Sequence, residues 1–333
     1  MRLMPRQKHI VEKVLENRSF DRRHCFLCGV WLNTKNNSRE HIFPKFLLNK
    51  FKLWEQRLTL LNGTEIPYRK VVIPCCKTCN NKYIGRIDKE ISQGVKGGFD
   101  QFAKLDEVLV FQWLSRILYS ILYLEMITPR DPRFKRRKIL KKTFFKSLET
   151  AYVFLNSIRI KTEFHEPYPW SIFLFKTQSH TDPQLSFDFK DNPIMFTIAV
   201  RMGDIGIVAA LQENGALQTI EEQALGITHA RALELHPVQF CELVARIFYA
   251  ASLLDRVPKY MNVSSPDDTM HIISLPIGGL SAKPIFRDFD PEAYARLLSW
   301  STGIPVEQLH FPGKGIWTFL HDETGVPKHM PFE

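Results

Sequence analysis

Four of the chain's cysteines fall into two C-x-x-C pairs, Cys25/Cys28 and Cys76/Cys79, with 47 residues between Cys28 and Cys76. Two such pairs supply the thiolate donor set that closes a tetrahedral zinc site. A simple zinc ribbon separates its pairs by roughly 15–20 residues. The longer gap here means that the knuckles clamp the ends of a folded substructure. Cys75 is the spare thiol, because Cys76 keeps the two-residue spacing. Cys241 sits in the helix-period apolar stretch VQFCELVARIFYAASLL and reads as a small core residue. The opening segment MRLMPRQKHIVEKVLENRS has neither a continuous apolar run nor a small-residue cleavage site, so no secretory signal is read there. A reducing, cytoplasmic compartment is therefore expected, where metal ligation prevails over disulfides.

The net charge of +10 is concentrated at one end. Residues 1–99 hold 20 Lys+Arg against 8 Asp+Glu, a net of +12, so the remainder of the chain carries −2. That asymmetry suits a first third that meets a polyanion, although a solvated basic face produces the same count. A hydrophobic fraction of 44% argues for a folded chain rather than a disordered one. The longest apolar run, VLVFQWLSRILYSILYLEMI, is interrupted by Arg116 and Glu125 and reads as a buried helix, not a membrane span.

Local signals outline an α+β protein. A helix is expected over IFPKFLLNKFKLW, with Phe43, Phe46, Leu47, Phe51 and Trp54 on one face. RLTLLNGTEIPYRKVVIP reads as two strands joined at Asn62-Gly63, the strongest short hairpin signal. A helix opens just beyond Cys79, another covers residues 100–128, and a basic helix runs near 130–157. Strands follow over residues 168–215, then helices after His236-Pro237 and from Pro291. The glycines of QGVKGGFD place a boundary near residue 95, dividing the chain into residues 1–95 and 96–333.

Inside the clamped segment lies SREHIFPKFLL, which sets the carboxylate of Glu40 beside the imidazole of His41. Phosphodiester hydrolysis needs a base for the attacking water and a cation for the developing charge. Histidine titrates near neutrality, and carboxylate and amide oxygens suit Mg²⁺. Neighbours on a strand point to opposite faces, so Glu40 and His41 can serve one phosphate only if the chain bends there. In order, Cys25-x-x-Cys28, Glu40-His41-Ile42-x-Pro44 and Cys76-x-x-Cys79-Asn80-Asn81-Lys82 resemble the HNH endonucleases, the ββα-metal nucleases, over about residues 22–92.

That resemblance implies an N-terminal ββα-metal nuclease domain with structural Zn²⁺ on Cys25, Cys28, Cys76 and Cys79. It implies His41 as general base and a catalytic Mg²⁺ or Mn²⁺ held by Glu40, where the family more often has Asp, and Asn80. The family's middle Asn has no counterpart in PYRKVVIP, so what orients His41 is open. Lys45, Lys82 and Arg86 adjoin the motif, and Arg136 and Arg137 lie in a basic run; all are candidate phosphate contacts. The partner expected is DNA, leaving RNA open, with no membrane and with a homodimer as one possible assembly. By analogy a role in restriction or phage defence follows. Two other classes compete: a catalytically inactive zinc-knuckle module that binds nucleic acid, and an interaction protein stabilised by zinc. His165, His180, His229, His236 and His271 are scattered and read as structural or exposed.

Overall fold

The computed structural model describes residues 10–16, 18–129, 144–220, 225–278 and 283–332. In chain order, Ile10–Glu16 (α1) precedes the first knuckle, and Asn37–His41 (β1), Lys45–Lys50 (α2), Arg57–Thr59 (β2), Glu65–Pro67 (β3) and Val72–Cys76 (β4) follow it. A π-helical turn, Cys79–Ile84, then leads into Gly85–Lys96 (α3). Next come Phe99–Phe102 (α4), Glu107–Ile127 (α5), Phe144–Leu155 (α6) and Thr162–His165 (β5). The remainder holds Ser171–Lys176 (β6), Phe187–Asn192 (β7), Thr197–Met202 (β8), Ile205–Ala210 (β9), Ile227–Arg231 (α7) and Pro237–Leu253 (α8). Tyr260–Ser264 (β10), Met270–Ser274 (β11) and Pro291–Thr302 (α9) follow. The fold is mixed α+β.

Two compact units divide the chain: Met1–Ser92, Val108–His165 and Met261–Ile273 in one, and Gln93–Glu107, Glu166–Tyr260 and Ser274–Glu333 in the other. The first crossing falls close to the boundary read near residue 95, but the chain then returns to the first unit twice. Apolar contacts explain the return. Phe111 of α5, Phe154 of α6 and Phe164 of β5 meet edge to face, with ring centroids 5.3–6.0 Å apart. α5 is long and apolar enough to cross a membrane, yet 78% of its apolar window is buried inside the protein. Its polar side chains brace the N-terminal loops: Tyr123 donates to the Asp21 carbonyl (2.6 Å), and Glu125 accepts from the Leu61 amide (2.8 Å).

Within this unit β1 and β4 pair antiparallel, from Asn37 opposite Cys76 to His41 opposite Val72. The β2–β3 hairpin closes around Asn62-Gly63, with Gly63 at φ +76° and the Asn62 side chain accepting from the Thr64 amide. α5, α6 and a sheet of order β10-β11-β5 complete the unit.

The second unit is built on an antiparallel sheet of order β6-β9-β8-β7. Its core joins Phe173, Phe175 and Val208 of the sheet to Phe240, Leu243, Val244 and Ile247 of α8. His236 caps α8 by accepting from the Val238 amide, and Pro237 opens the first turn.

One helix is shorter than its periodicity suggests. α2 stops at Lys50, leaving Trp54 outside it. Lys52 adopts φ +52°, the Lys52 amide donates to the Asn49 carbonyl, and the Leu53 amide donates to the Leu48 carbonyl. Those two bonds, with Leu48 and Leu53 both buried, form a Schellman stop. A left-handed lysine is disfavoured by its Cβ. Lys52→Gly is therefore expected to raise stability by about 0.5–1 kcal/mol, read as an increased urea midpoint at constant slope.

Candidate metal centre and the Arg116 cluster

The first knuckle is a tight turn in which the Cys25 amide donates to the Val30 carbonyl and the Gly29 amide to the Cys25 carbonyl, with Gly29 at φ +73°. The second spans the end of β4 and the start of the π turn, where the Cys79 amide donates to Cys76 Sγ (3.4 Å). β1–β4 pairing carries the knuckles together, and the sulfurs of Cys25, Cys28, Cys76 and Cys79 lie within 4.8 Å of one another. Cys28 Sγ and Cys76 Sγ are 3.8 Å apart. Zn–S bonds of about 2.3 Å put the edge of a tetrahedral ZnS₄ site at roughly 3.8 Å. The donor set therefore fits zinc in type, number and spacing. None of the chain's cysteines is in a disulfide.

The clustered thiols also perturb one another. Hydrogen bonds from Cys28, Cys75 and Cys79 hold the Cys25 thiol far below its usual range, while the bond with Cys25 pushes Cys28 up to about 12. Cys79 is raised for the same reason, first by Cys25 and then by Cys28. Deprotonating all four clustered thiols requires a cation to compensate their charge. Cys75, buried with its sulfur 4.0 Å from that of Cys25, is the spare thiol of this cluster.

Strand alternation divides the motif residues. Ser38 and Glu40 leave β1 on one face, and Arg39 and His41 on the other. The post-knuckle segment covers the first of these: Asn80 donates through Nδ2 to Ser38 Oγ (2.9 Å) and to the Arg39 carbonyl (3.4 Å). The π turn presents Asn80 through one extra residue, closed by the Gly85 amide donating to the Asn80 carbonyl. Asn80 Oδ1 has no hydrogen bond among the described residues.

Glu40 is buried and engaged. Its Oε1 accepts from Arg116 Nη1 at 3.2 Å, and Arg116 Nη2 donates to Asp88 Oδ1 at 3.0 Å. The same Nη1 reaches the carbonyls of His41 (3.3 Å) and Ile42 (3.2 Å). Arg116 is fully buried on α5, and two carboxylates share its single positive charge. Burial, offset in part by Arg116, accordingly pushes Glu40 up to about 7 and raises Asp88 above the ordinary carboxylate range. Glu40 Oε1 is thus committed to Arg116, whereas the expected metal ligand is a carboxylate free of such a partner. Neither the arginine nor Asp88 was singled out from the sequence as part of this site. The signal available was a charged residue interrupting the apolar run of α5.

His41 ends β1, and the bend falls after it, at Ile42–Phe43, rather than between Glu40 and His41. Its ring meets Trp54 edge to face at 5.8 Å, and its Nδ1 is buried without a hydrogen-bond partner. Burial, followed by the nearby Lys45 charge, holds its pKa below the ordinary imidazole value. Lys45, Lys82 and Arg86 are exposed. Arg136 and Arg137, with the rest of the basic run, lie outside the described residues. Comparison with known protein families, curated proteins and solved structures finds no match for this chain.

Two outcomes test the site. The purified chain is expected to contain at least one zinc by elemental analysis, the one held by the four cysteines. Cys28→Ser/Cys79→Ser should lose it and melt at lower temperature, since the energy of a structural zinc is folding energy. Arg116→Ala leaves the buried Glu40 and the half-buried Asp88 without their cation and should cost about 3–5 kcal/mol by denaturant titration at neutral pH. The sign of its pH dependence follows from the raised folded-state values. Protonation of Glu40 and Asp88 favours the fold below their unfolded values, and that stability is lost as pH rises through about 7 for Glu40. The variant's deficit should therefore be larger at pH 8 than at pH 5.

Proposed function

We propose that this chain is an HNH-type endonuclease that hydrolyses DNA phosphodiester bonds, with His41 as its base and the four-cysteine zinc site as its structural clamp. The observation that carries the reading is a strand–strand–helix unit closed by four thiols, with a neutral imidazole at the end of its first strand. Asn80 sits in the first turn of the segment that follows the second strand. Arg116 bonds the carbonyls of His41 and Ile42, so it anchors the backbone that aims the imidazole. In that respect it fills the place left by the missing middle Asn, acting as a positioning residue.

His41 would take the proton of the attacking water as the new P–O bond forms. The bond to the leaving sugar oxygen breaks, and that oxygen leaves with a proton from solvent. Reactions of this class use Mg²⁺ or Mn²⁺ to neutralise charge on the phosphoryl oxygens. Asn80 Oδ1 would supply one oxygen ligand to such an ion, and Glu40 would supply another while its Oε1 stays bonded to Arg116. Lys45, Lys82 and Arg86, exposed near the motif, suit phosphate contacts that position DNA without reading its sequence. A defence or restriction role rests on analogy with the family alone.

A second reading is favoured by the Glu40–Arg116 bond: a zinc-knuckle module that binds nucleic acid without cutting it. Plasmid incubated with Mg²⁺ or Mn²⁺ separates the two. Under the nuclease reading the wild type cleaves, EDTA abolishes cleavage, and His41→Ala lowers the rate by about 10²–10⁴. Cleavage that persists in His41→Ala defeats the mechanism. Salt-sensitive binding without cleavage under either metal selects the second reading. In both cases, replacing Lys45, Lys82 and Arg86 by Ala should flatten the log-affinity versus log-salt slope by about 0.9 per contact removed.

A further inference from the structure

The scattered histidines include two that the fold brings together. β5 and β11 pair in parallel, with His271 opposite Glu163 and Ile273 opposite His165. Alternation then sends Glu163, His165 and His271 from one face of the strand pair, while Phe164 turns the other way to pack on Phe111 and Phe154. His165 Nε2 lies 3.1 Å from His271 Nδ1, and Glu163 Oε2 lies 3.4 Å from that same nitrogen. One ligand atom from each of the three residues falls within 4.8 Å of the other two.

We propose that Glu163, His165 and His271 form a second metal site, distinct from the four-cysteine centre, that takes a divalent transition ion of the zinc type. The chemistry of the donors sets the class. Imidazole nitrogens with one carboxylate suit Zn²⁺ and its first-row neighbours, whereas Mg²⁺ and Ca²⁺ prefer all-oxygen shells. The spacing agrees. Metal–ligand bonds of about 2.0–2.1 Å put the edge of a tetrahedron at roughly 3.3–3.4 Å. The two short separations, 3.1 and 3.4 Å, bracket that edge. Glu163 and His165 are exposed and His271 is half-buried, so the ion can enter from solvent and a water completes its coordination. Bound there, it would tie β5 to β11 across a sequence separation of 106 residues. Without an ion the three groups can satisfy one another by hydrogen bonding, so occupancy is what the experiment reads.

Cobalt(II) titration of the full-length, zinc-stripped protein distinguishes the sites. The wild type is expected to bind two equivalents. The first shows a thiolate-to-cobalt charge-transfer band in the near ultraviolet, and the second adds visible absorption without that band. His165→Ala/His271→Ala should keep the first and lose the second, with affinity falling by more than about a hundredfold. Circular dichroism checks that the variant is folded. If it is not, Glu163→Gln, a conservative change at an exposed position, carries the test through a weakened second equivalent. Saturation at one equivalent in the wild type, or a second equivalent indifferent to either variant, overturns the proposal. The proposed nuclease activity is not read in this assay, so neither result depends on it.

Discussion

The Arg116 guanidinium holds the N-terminal unit together at its centre. A fully buried cation is costly unless every charge around it is arranged to compensate. Three segments meet around this one. Glu40 and the carbonyls of His41 and Ile42 come from the end of β1, Asp88 comes from α3, and α5 carries the arginine itself. Removing the arginine leaves both carboxylates without a cation. The end of β1, α3 and α5 are therefore tied to one another by one side chain. The same contact commits Glu40 and sets the position of the His41 backbone, so it shapes whatever chemistry the segment performs.

The cysteine cluster supplies the complementary constraint at the other end of the β1–β4 ladder. Cys76 closes β4, while Cys25 and Cys28 form the turn before β1, so strand pairing brings the four candidate ligands together. The four sulfurs, within 4.8 Å of one another, form a donor set suited to a divalent cation. β1, α2, the β2–β3 hairpin and most of β4 fill the 47-residue gap between Cys28 and Cys76.

Much of the local architecture was legible. Asn62-Gly63 marked a hairpin, His236-Pro237 a capped helix start, and the run around Arg116 a buried helix. The length of α2 was not, because its stop is made by a lysine in a conformation that glycine usually fills. The extent of the N-terminal unit was also hidden. The glycines near residue 95 mark a real crossing, but aromatic packing returns α5, α6 and β5 to the first unit. At the candidate site, the four thiols were readable from spacing, whereas the separation of Glu40 from His41 required knowing that the strand runs straight through both.

The sequence by itself determined the four-cysteine donor set, the basic character of the first third and the positions where helices and turns begin. Each depends on residue types a few positions apart, or on composition. Only the tertiary structure decided that Glu40 belongs to Arg116, 76 residues away, and that His165 meets His271 across 106. Both are pairings of charge and polarity whose partners are chosen by which faces the packed strands and helices present. A local pattern names the groups that need a partner; the packing of the core selects which partner each one meets.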